Sequence, residues 1–230
     1  MLTEQQINEN KERFLSIVDK LAEIRKEENW AGLKEFLITS DFFSAPASTM
    51  FHANYTGGLC EHSLNVYDTL MQLTMMSYGD SRDNATPYSW DSLAIVSLFH
   101  DLSKTNYYMW DSKNVKYYFA PGEAVPRDAK RDSMGAFEWR KEYAWLRRPL
   151  KSSFVYGGHE DTSVLLLQQY VWLTREEITA ILHHTGVVGT SSFDQQKEFS
   201  YCYSSYPLAI HLHLADTYAS FVKEKSGITE

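Results

Sequence analysis

A chain of 230 residues is long enough for one sizeable hydrophobic core, or for a core that carries an inserted lobe. Hydrophobic residues make up 43% and charged residues 23%, the balance of an ordinary globular protein, and no apolar run is long enough to cross a bilayer, so no membrane partner is expected. A net charge of −8 argues against duplex nucleic acid as a partner.

Two cysteines, Cys60 and Cys202, stand far apart without metal-type spacing and read as idle thiols of a reducing compartment. The first ten residues are polar and no basic stretch precedes an apolar segment, so a cytoplasmic protein is expected. The charge is unevenly placed. Residues 111–151 carry a balance of +4 and the remainder −12, a basic segment on an acidic protein that suits an anionic substrate.

In chain order, Thr3 with Gln6 reads as a capping box. Ile7, Phe14, Ile17, Val18, Leu21 and Ile24 follow at helical spacing to about Lys26. With a short helix at 31–38 this forms an N-terminal helical extension over 1–40, and 40–57 is a loop of small and aromatic residues. Residues 59–77 read as a helix and 78–89 as polar turns. The span 90–102 is almost wholly apolar, the mark of a buried central helix, and its last turn carries His100-Asp101.

From 106 to 157 the helical period fades. Residues 115–119 and 136–145 are rich in aromatics and Pro121-Gly122 marks a turn, so a small, partly β insertion or flap is expected. Its aromatics, Tyr107, Tyr108, Trp110, Trp139, Tyr143 and Trp145, suit either a small core of the flap or stacking on a base. Helical pattern returns over 160–172, and Thr174 with Glu177 caps a helix over 175–184. Residues 185–206 read as a Gly/Ser/Tyr loop, and Pro207 opens a last helix running to about Lys223. The expectation is one all-α domain over 1–230 with a single interruption.

Five histidines and two aspartates stand along this frame in the order His62, His100-Asp101, His159, His183-His184, Asp216. Imidazole and carboxylate ligands suit first-row divalent metals rather than thiolate-preferring ones. Two ionisable groups at the end of an apolar helix would cost several kcal/mol if buried without partners, so His100-Asp101 calls for a partner.

The segments GGLCEHSLNVYDTL (57–70), LAIVSLFHDLSK (93–104), YGGHEDTSVLLL (156–167), EEITAILHHTG (176–186) and LAIHLHLADTYAS (208–220) resemble the HD-domain superfamily of metal-dependent phosphohydrolases, in particular its small bacterial and phage-type members. The likeness spans 57–220, each motif on an expected helix or helix end. It implies an HD-type helical bundle binding one or two divalent ions (Mn²⁺, Fe²⁺, Mg²⁺, Ni²⁺ or Zn²⁺). His62, His100, Asp101 and Asp216 would hold the first, and Asp101 would bridge to a second held by His159 and one histidine of the 183–184 pair. The Ala180-Ile181 register in the likeness favours His184, leaving His183 to packing or to support of a ligand.

Lys104, three residues after Asp101, shares its face and would neutralise charge on a transferring phosphoryl group; a solvated helix-end lysine is the alternative. His52 reads as a substrate contact or as an ordinary loop histidine. His211 and His213 lie on the last helix, His213 three residues before Asp216, as a support for the ligands or a packed residue. Arg140, Lys141, Arg147, Arg148 and Lys151 read as solvated charge or as phosphate contacts, with Arg147 and Arg148 preferred at the substrate.

The implied activity is hydrolysis of a nucleotide, another small phosphate ester or a phosphodiester, with Asp101 and Lys104 as the catalytic pair. No GYP-type segment follows His183-His184, no acidic pair follows Asp101 and no separate nucleic-acid-binding domain is visible, which disfavours cyclic-dinucleotide and alarmone hydrolysis. Two other readings use the same ligands: a di-iron oxygenase, and a non-catalytic module stabilised by its metals. The expected partner is a small phosphorylated substrate, with the oligomeric state open.

Overall fold

A computed structural model describes residues 1–79, 86–149, 157–186 and 192–224 of the chain. The expectations placed on 80–85, 187–191 and Lys151 lie outside the described residues.

The chain opens with α1 (Glu4–Ile24), started by both bonds of the capping box: Gln6 N–H donates to Thr3 Oγ1 (3.2 Å) and Thr3 N–H to Gln6 Oε1 (2.9 Å). One face of α1 buries Phe14, Ile17, Val18 and Leu21. Helix α2 (Trp30–Thr39) is capped by Asn29, and Phe42 and Phe43 beyond it join Phe14 and Phe99 in an aromatic cluster with ring centroids 4.9–5.8 Å apart.

Two adjacent glycines set the start of α3 (Gly58–Tyr78). Gly57 has φ +83°, a conformation strained for other residues, and a Cβ on Gly58 would lie 2.1 Å from the Ala53 carbonyl oxygen, so a side chain there would move the loop that carries His52. Helix α4 (Trp90–Phe99) is buried from Leu93 to Phe99, as an almost uniformly apolar helix must be. It ends three residues earlier than expected. The chain leaves the helix after His100, passes through Asp101 and tightens into a 3₁₀ turn at Leu102–Lys104.

The interruption is an antiparallel arm. Strand β1 (Tyr108–Tyr118) pairs along its whole length with β3 (Gly135–Arg147), and a short β2 (Lys130–Asp132) adds to the outer edge of β3. Asp41 holds the root of the arm: Asn106 N–H donates to Oδ1 (2.5 Å) and Arg148 reaches Oδ2 (3.3 Å).

Helix α5 (His159–Leu167) is shorter than the expected 160–172, and α6 (Arg175–Leu182) starts at the Thr174–Glu177 capping box. Much of 185–206, expected as loop, is helical: α7 spans Phe193–Ser205. Its small and aromatic residues suggested a loop. Phe199 and Tyr203 instead stand one turn apart and touch (5.9 Å), and they pack on His183 and His213. Helix α8 (Pro207–Tyr218), with Pro207 in its first turn, is followed by a π turn over Ala219–Lys223.

The core lies where α3, α4, α6 and α8 meet, built from Leu64, Val66 and Leu70, from α4, from Ala180 and Ile181, and from Leu208, Leu212 and Ala215. Arg25, just past α1, pins the outer end of this bundle. It bonds to Asp91 (2.5 Å) on α4 and to the fully buried Glu177 on α6, which also accepts from Ser92 Oγ (2.7 Å). The molecule is thus mostly helical with one small antiparallel sheet, and none of its described helices is long and apolar enough to cross a membrane.

Candidate metal centre

Six side chains from five parts of the chain converge at the inner end of α4. His62 comes from the second turn of α3, His100 and Asp101 from the end of α4, His159 from the first position of α5, His184 from just past α6, and Asp216 from α8. His62 Nε2 lies 3.2 Å from His100 Nε2, 3.2 Å from Asp216 Oδ1 and 3.5 Å from Asp101 Oδ2. His100 Nε2 is 3.4 Å from Asp101 Oδ2, and His184 Nε2 is 3.8 Å from Asp101 Oδ1. Ligand atoms of three overlapping sets fall within 4.8 Å of one another: His62–His100–Asp101, His100–His184–Asp216 and Asp101–His159–His184.

The other ring nitrogen of each imidazole decides what the cluster can hold. His62 Nδ1–H donates to Glu224 (3.0 and 3.1 Å), His100 Nδ1–H to the Ser97 carbonyl (2.9 Å) and His184 Nδ1–H to the Ile181 carbonyl (2.7 Å). His159 Nδ1 faces Glu160 Oε2 at 3.0 Å. These acceptors fix the tautomer that leaves each Nε2 as a lone pair. A protonated His62 donates across the 3.2 Å to His100 Nε2, and a divalent cation would take that proton's place between the two nitrogens.

Asp101 adds a second sign of fit. Its Oδ1 is buried with no hydrogen-bond partner, 3.8 Å from His184 Nε2, while Oδ2 takes the His62 and His100 side and Lys104 Nζ (2.6 Å). A buried carboxylate oxygen without a donor needs an explanation, and a cation supplies one. Oxygen and nitrogen donors 3.2–3.5 Å apart are close enough to share one ion, since ligands held at about 2.1 Å stand roughly 3.0–3.4 Å from one another. The residues therefore fit a divalent ion, and the two sets sharing Asp101 fit a pair.

The charges of the cluster act on one another. Burial opposes charge on His62, but Glu224, Asp101 and Asp216 outweigh it and raise its pKa well above the ordinary value. Burial likewise opposes ionisation of Asp101, yet Lys104, His100 and His62 hold it well below the usual carboxylate range. Asp216 is lowered against its burial by His62, His100 and His184. His184, fully buried beside His100, is pushed down to about 4. The carboxylates are thus held as anions and His184 as a neutral base, as metal binding requires, whereas His62 would release its proton to an incoming cation.

Each site residue expected from sequence has a definite place. His62, His100, Asp101, His159, His184 and Asp216 come together. Of the histidine pair, His184 turns inward. His183 packs its ring on Phe199 (4.9 Å) and its carbonyl accepts from Tyr203. His213 stands behind the cluster, donating from Nδ1 to the His184 carbonyl (2.7 Å), and His211 bonds to the Pro207 carbonyl on the far side.

A cavity of about 290 Å³ opens beside the centre. Its polar groups come from Ser48, His52, Ser103, Lys104 and His159, and its walls from Phe51, Tyr107 and Tyr108. His52 stacks on His62 (4.8 Å) and its buried Nε2 has no partner, as is also true of Ser103 Oγ. Burial, with His62 and Lys104 nearby, lowers His52 to about 4. Arg147 and Arg148 do not line this cavity. Arg147 lies over Tyr107 (4.7 Å), and Arg148 is engaged by the Tyr108 carbonyl (2.8 Å) and Asp41, because the root of the arm needs both.

Glu224 is the functional residue that sequence reasoning missed. It is 5% exposed, takes Asn65 Nδ2–H (3.1 Å) besides His62, and comes from the end of the π turn. An acidic residue two turns past Asp216 is its only trace in the sequence.

Compared with family models, with curated proteins and with solved structures, the chain gives no match.

Proposed function

We propose that the protein is a metal-dependent phosphohydrolase with an HD-type bundle, acting on a nucleotide or similar small phosphate ester or phosphodiester. The observation that carries this reading is the convergence of the Nε2 lone pairs with Asp101 and Asp216 next to a cavity that holds a lysine. His62, His100, Asp101 and Asp216 would hold one ion, and Asp101, His159 and His184 a second. Bound divalent ions supply a water of lowered pKa and neutralise phosphoryl charge.

The chain's own groups do the rest. Lys104 is anchored to Asp101 Oδ2 at 2.6 Å and lines the cavity, so its charge is fixed where phosphoryl oxygens would lie. Burial works against that charge, but Asp101 raises the lysine's pKa and keeps it cationic. His52 Nε2 and Ser103 Oγ offer unpaired hydrogen-bonding groups to the part of the substrate beyond the phosphate. Phe51, Tyr107 and Tyr108 exclude water from the same space.

The test is elemental analysis of protein purified without chelator, together with hydrolysis of nucleotides and a generic aryl phosphodiester in Mn²⁺. Expected are bound metal, turnover, loss of turnover in Asp101→Ala, and a fall of about 10²–10³ in kcat for Lys104→Ala. Metal-free protein that stays inactive after Mn²⁺ is added sinks the reading.

A further inference from the structure

The antiparallel arm separates its side chains by chemistry. Successive residues of a strand point to opposite faces, so the β1–β3 register assigns each residue to a side. Trp110, Tyr118, Phe137, Trp139, Tyr143 and Trp145 share one face. The ring contacts agree: Trp110 meets Trp145 at 5.6 Å, Phe137 meets Tyr118 at 5.6 Å and Trp139 at 5.7 Å, and Lys116 lies over Phe137 at 4.4 Å. The charged residues on this face are Lys116, Lys141 and Arg147 from β1 and β3, with Lys130 and Asp132 from β2; Asp132 pairs with Lys116 (2.5 Å), which leaves Lys130, Lys141 and Arg147 as its free cations among the described residues. The opposite face holds Asp111, Glu138 and Glu142 against Lys113 and Arg140.

This aromatic face is not the inside of a small core. Trp110 is 58% exposed, Trp139 49% and Tyr143 67%. It is also continuous with the candidate centre. Tyr108 begins β1 opposite Arg147 on the same face and lines the cavity, and Arg147 lies over Tyr107, which lines it too. A row of exposed rings with interleaved cations, same-face neighbours roughly 6.7 Å apart along a strand, is the chemistry that stacks bases and tracks a phosphate backbone.

We propose that this face of the arm is a platform for single-stranded nucleic acid, which delivers a phosphodiester to the cavity at its root. The proposal rests on the phosphohydrolase reading for what happens at the root, and binding by the arm stands apart from it. The rings accept any base, so recognition is of single strands rather than of sequence. The acidic remainder of the surface keeps duplexes, which demand a broad basic surface, away.

The experiment is fluorescence anisotropy of labelled oligothymidylate and oligouridylate with the full chain at low salt in EDTA, so that binding is read without turnover. Expected are saturable binding and a log–log salt slope of about −2 from phosphate contacts by Lys130, Lys141 and Arg147. Trp139→Ala and Tyr143→Ala should each weaken binding by about 5- to 150-fold, while Lys113→Ala and Glu142→Ala on the other face leave it unchanged. Both aromatics are exposed, so the variants keep the fold, which circular dichroism checks.

No binding, or binding indifferent to Trp139 and Tyr143, overturns the proposal. So does a dimer in sedimentation that Tyr143→Ala converts to monomer, which makes the face a contact between copies, or binding to phosphatidylserine vesicles in place of oligonucleotides. Turnover of the small aryl diester without oligonucleotide binding removes the platform and leaves the phosphohydrolase. Oligonucleotide binding without any turnover in Mn²⁺ does the reverse.

Discussion

Glu224 sets its carboxylate 3.0 Å from Nδ1 of His62, and so decides which nitrogen of that imidazole faces Asp101 and Asp216. Carboxylates that orient a metal-ligating histidine are worth about 10- to 100-fold in metal affinity. Glu224→Ala should weaken Mn²⁺ binding by that factor in titration calorimetry. Glu224→Gln, whose amide oxygen can still accept from Nδ1–H, should recover part of it. Equal affinity in parent and Glu224→Ala sinks the assignment.

Metal should also stabilise the fold, because the ligands come from α3, α4, α5, α8 and the turn after α6. At a free ion concentration about 100-fold above Kd the gain is about 2.7 kcal/mol. For a chain of this length that raises Tm by about 5–11 °C. Differential scanning calorimetry of chelator-treated protein with and without Mn²⁺ reads it, and the Asp101→Ala variant should show little of the shift.

Arg25 offers a prediction away from the centre. Its partner Glu177 is fully buried, and removing one member of such a pair costs about 3–5 kcal/mol. Arg25→Met should lose that much in urea unfolding while metal affinity of the folded protein stays the same.

The same cluster gives the acid dependence a sign. Burial opposes ionisation of Asp91, but bonds from Ser89 and Arg25 outweigh it and hold the carboxyl below its ordinary 3.8. The stability it contributes is therefore present above pH 3.8 and lost as the pH falls through the lower folded value. Asp91→Asn should be less stable than the parent at neutral pH, and the two urea midpoints should converge in acid. A constant gap between them would mean that the Asp91 charge plays no part.

Gly186 tests the support behind His184. It has φ +72°, and a Cβ there would lie 2.5 Å from the His213 ring. Gly186→Ala should cost about 1–3 kcal/mol from strain and contact together. His213→Ala in the same chain should return the contact part, giving a coupling that a double-mutant cycle measures.

The parts of the molecule legible in sequence are those with local causes. Both capping boxes, the buried α4 and the position of Pro207 follow from neighbouring residues alone, and six of the seven ordered histidines and aspartates come together, His183 turning away to Phe199. What was hidden depends on contacts across the chain. Helix α7 reads as loop from its small and aromatic composition, because what holds it is tertiary: Phe199 on the His183 ring and Tyr203 on the His213 ring. The end of α4 falls early because His100 caps it, still bonded to the Val96 carbonyl, and the chain turns away at Asp101 (φ −105°, ψ 21°). Glu224 lies eight residues past Asp216, about 80° off a regular helical face. The π turn, in which Glu224 N–H donates to Ala219 O (3.0 Å), takes up the extra residue and brings the carboxylate round, which no 3.6-residue period foretells.

That turn also sets a clock on assembly. His62 and Glu224 are 162 positions apart, so a chain made from its N-terminus must extend through all the intervening helices and the arm before His62 gains its acceptor. At about 5–20 residues per second this is a delay of roughly 8–30 s, long compared with the folding of a helical segment. On the proposed reading, tight ion capture would be reserved for chains that have passed the last turn, and an unfinished or clipped chain would hold its ion loosely against a competing chelator.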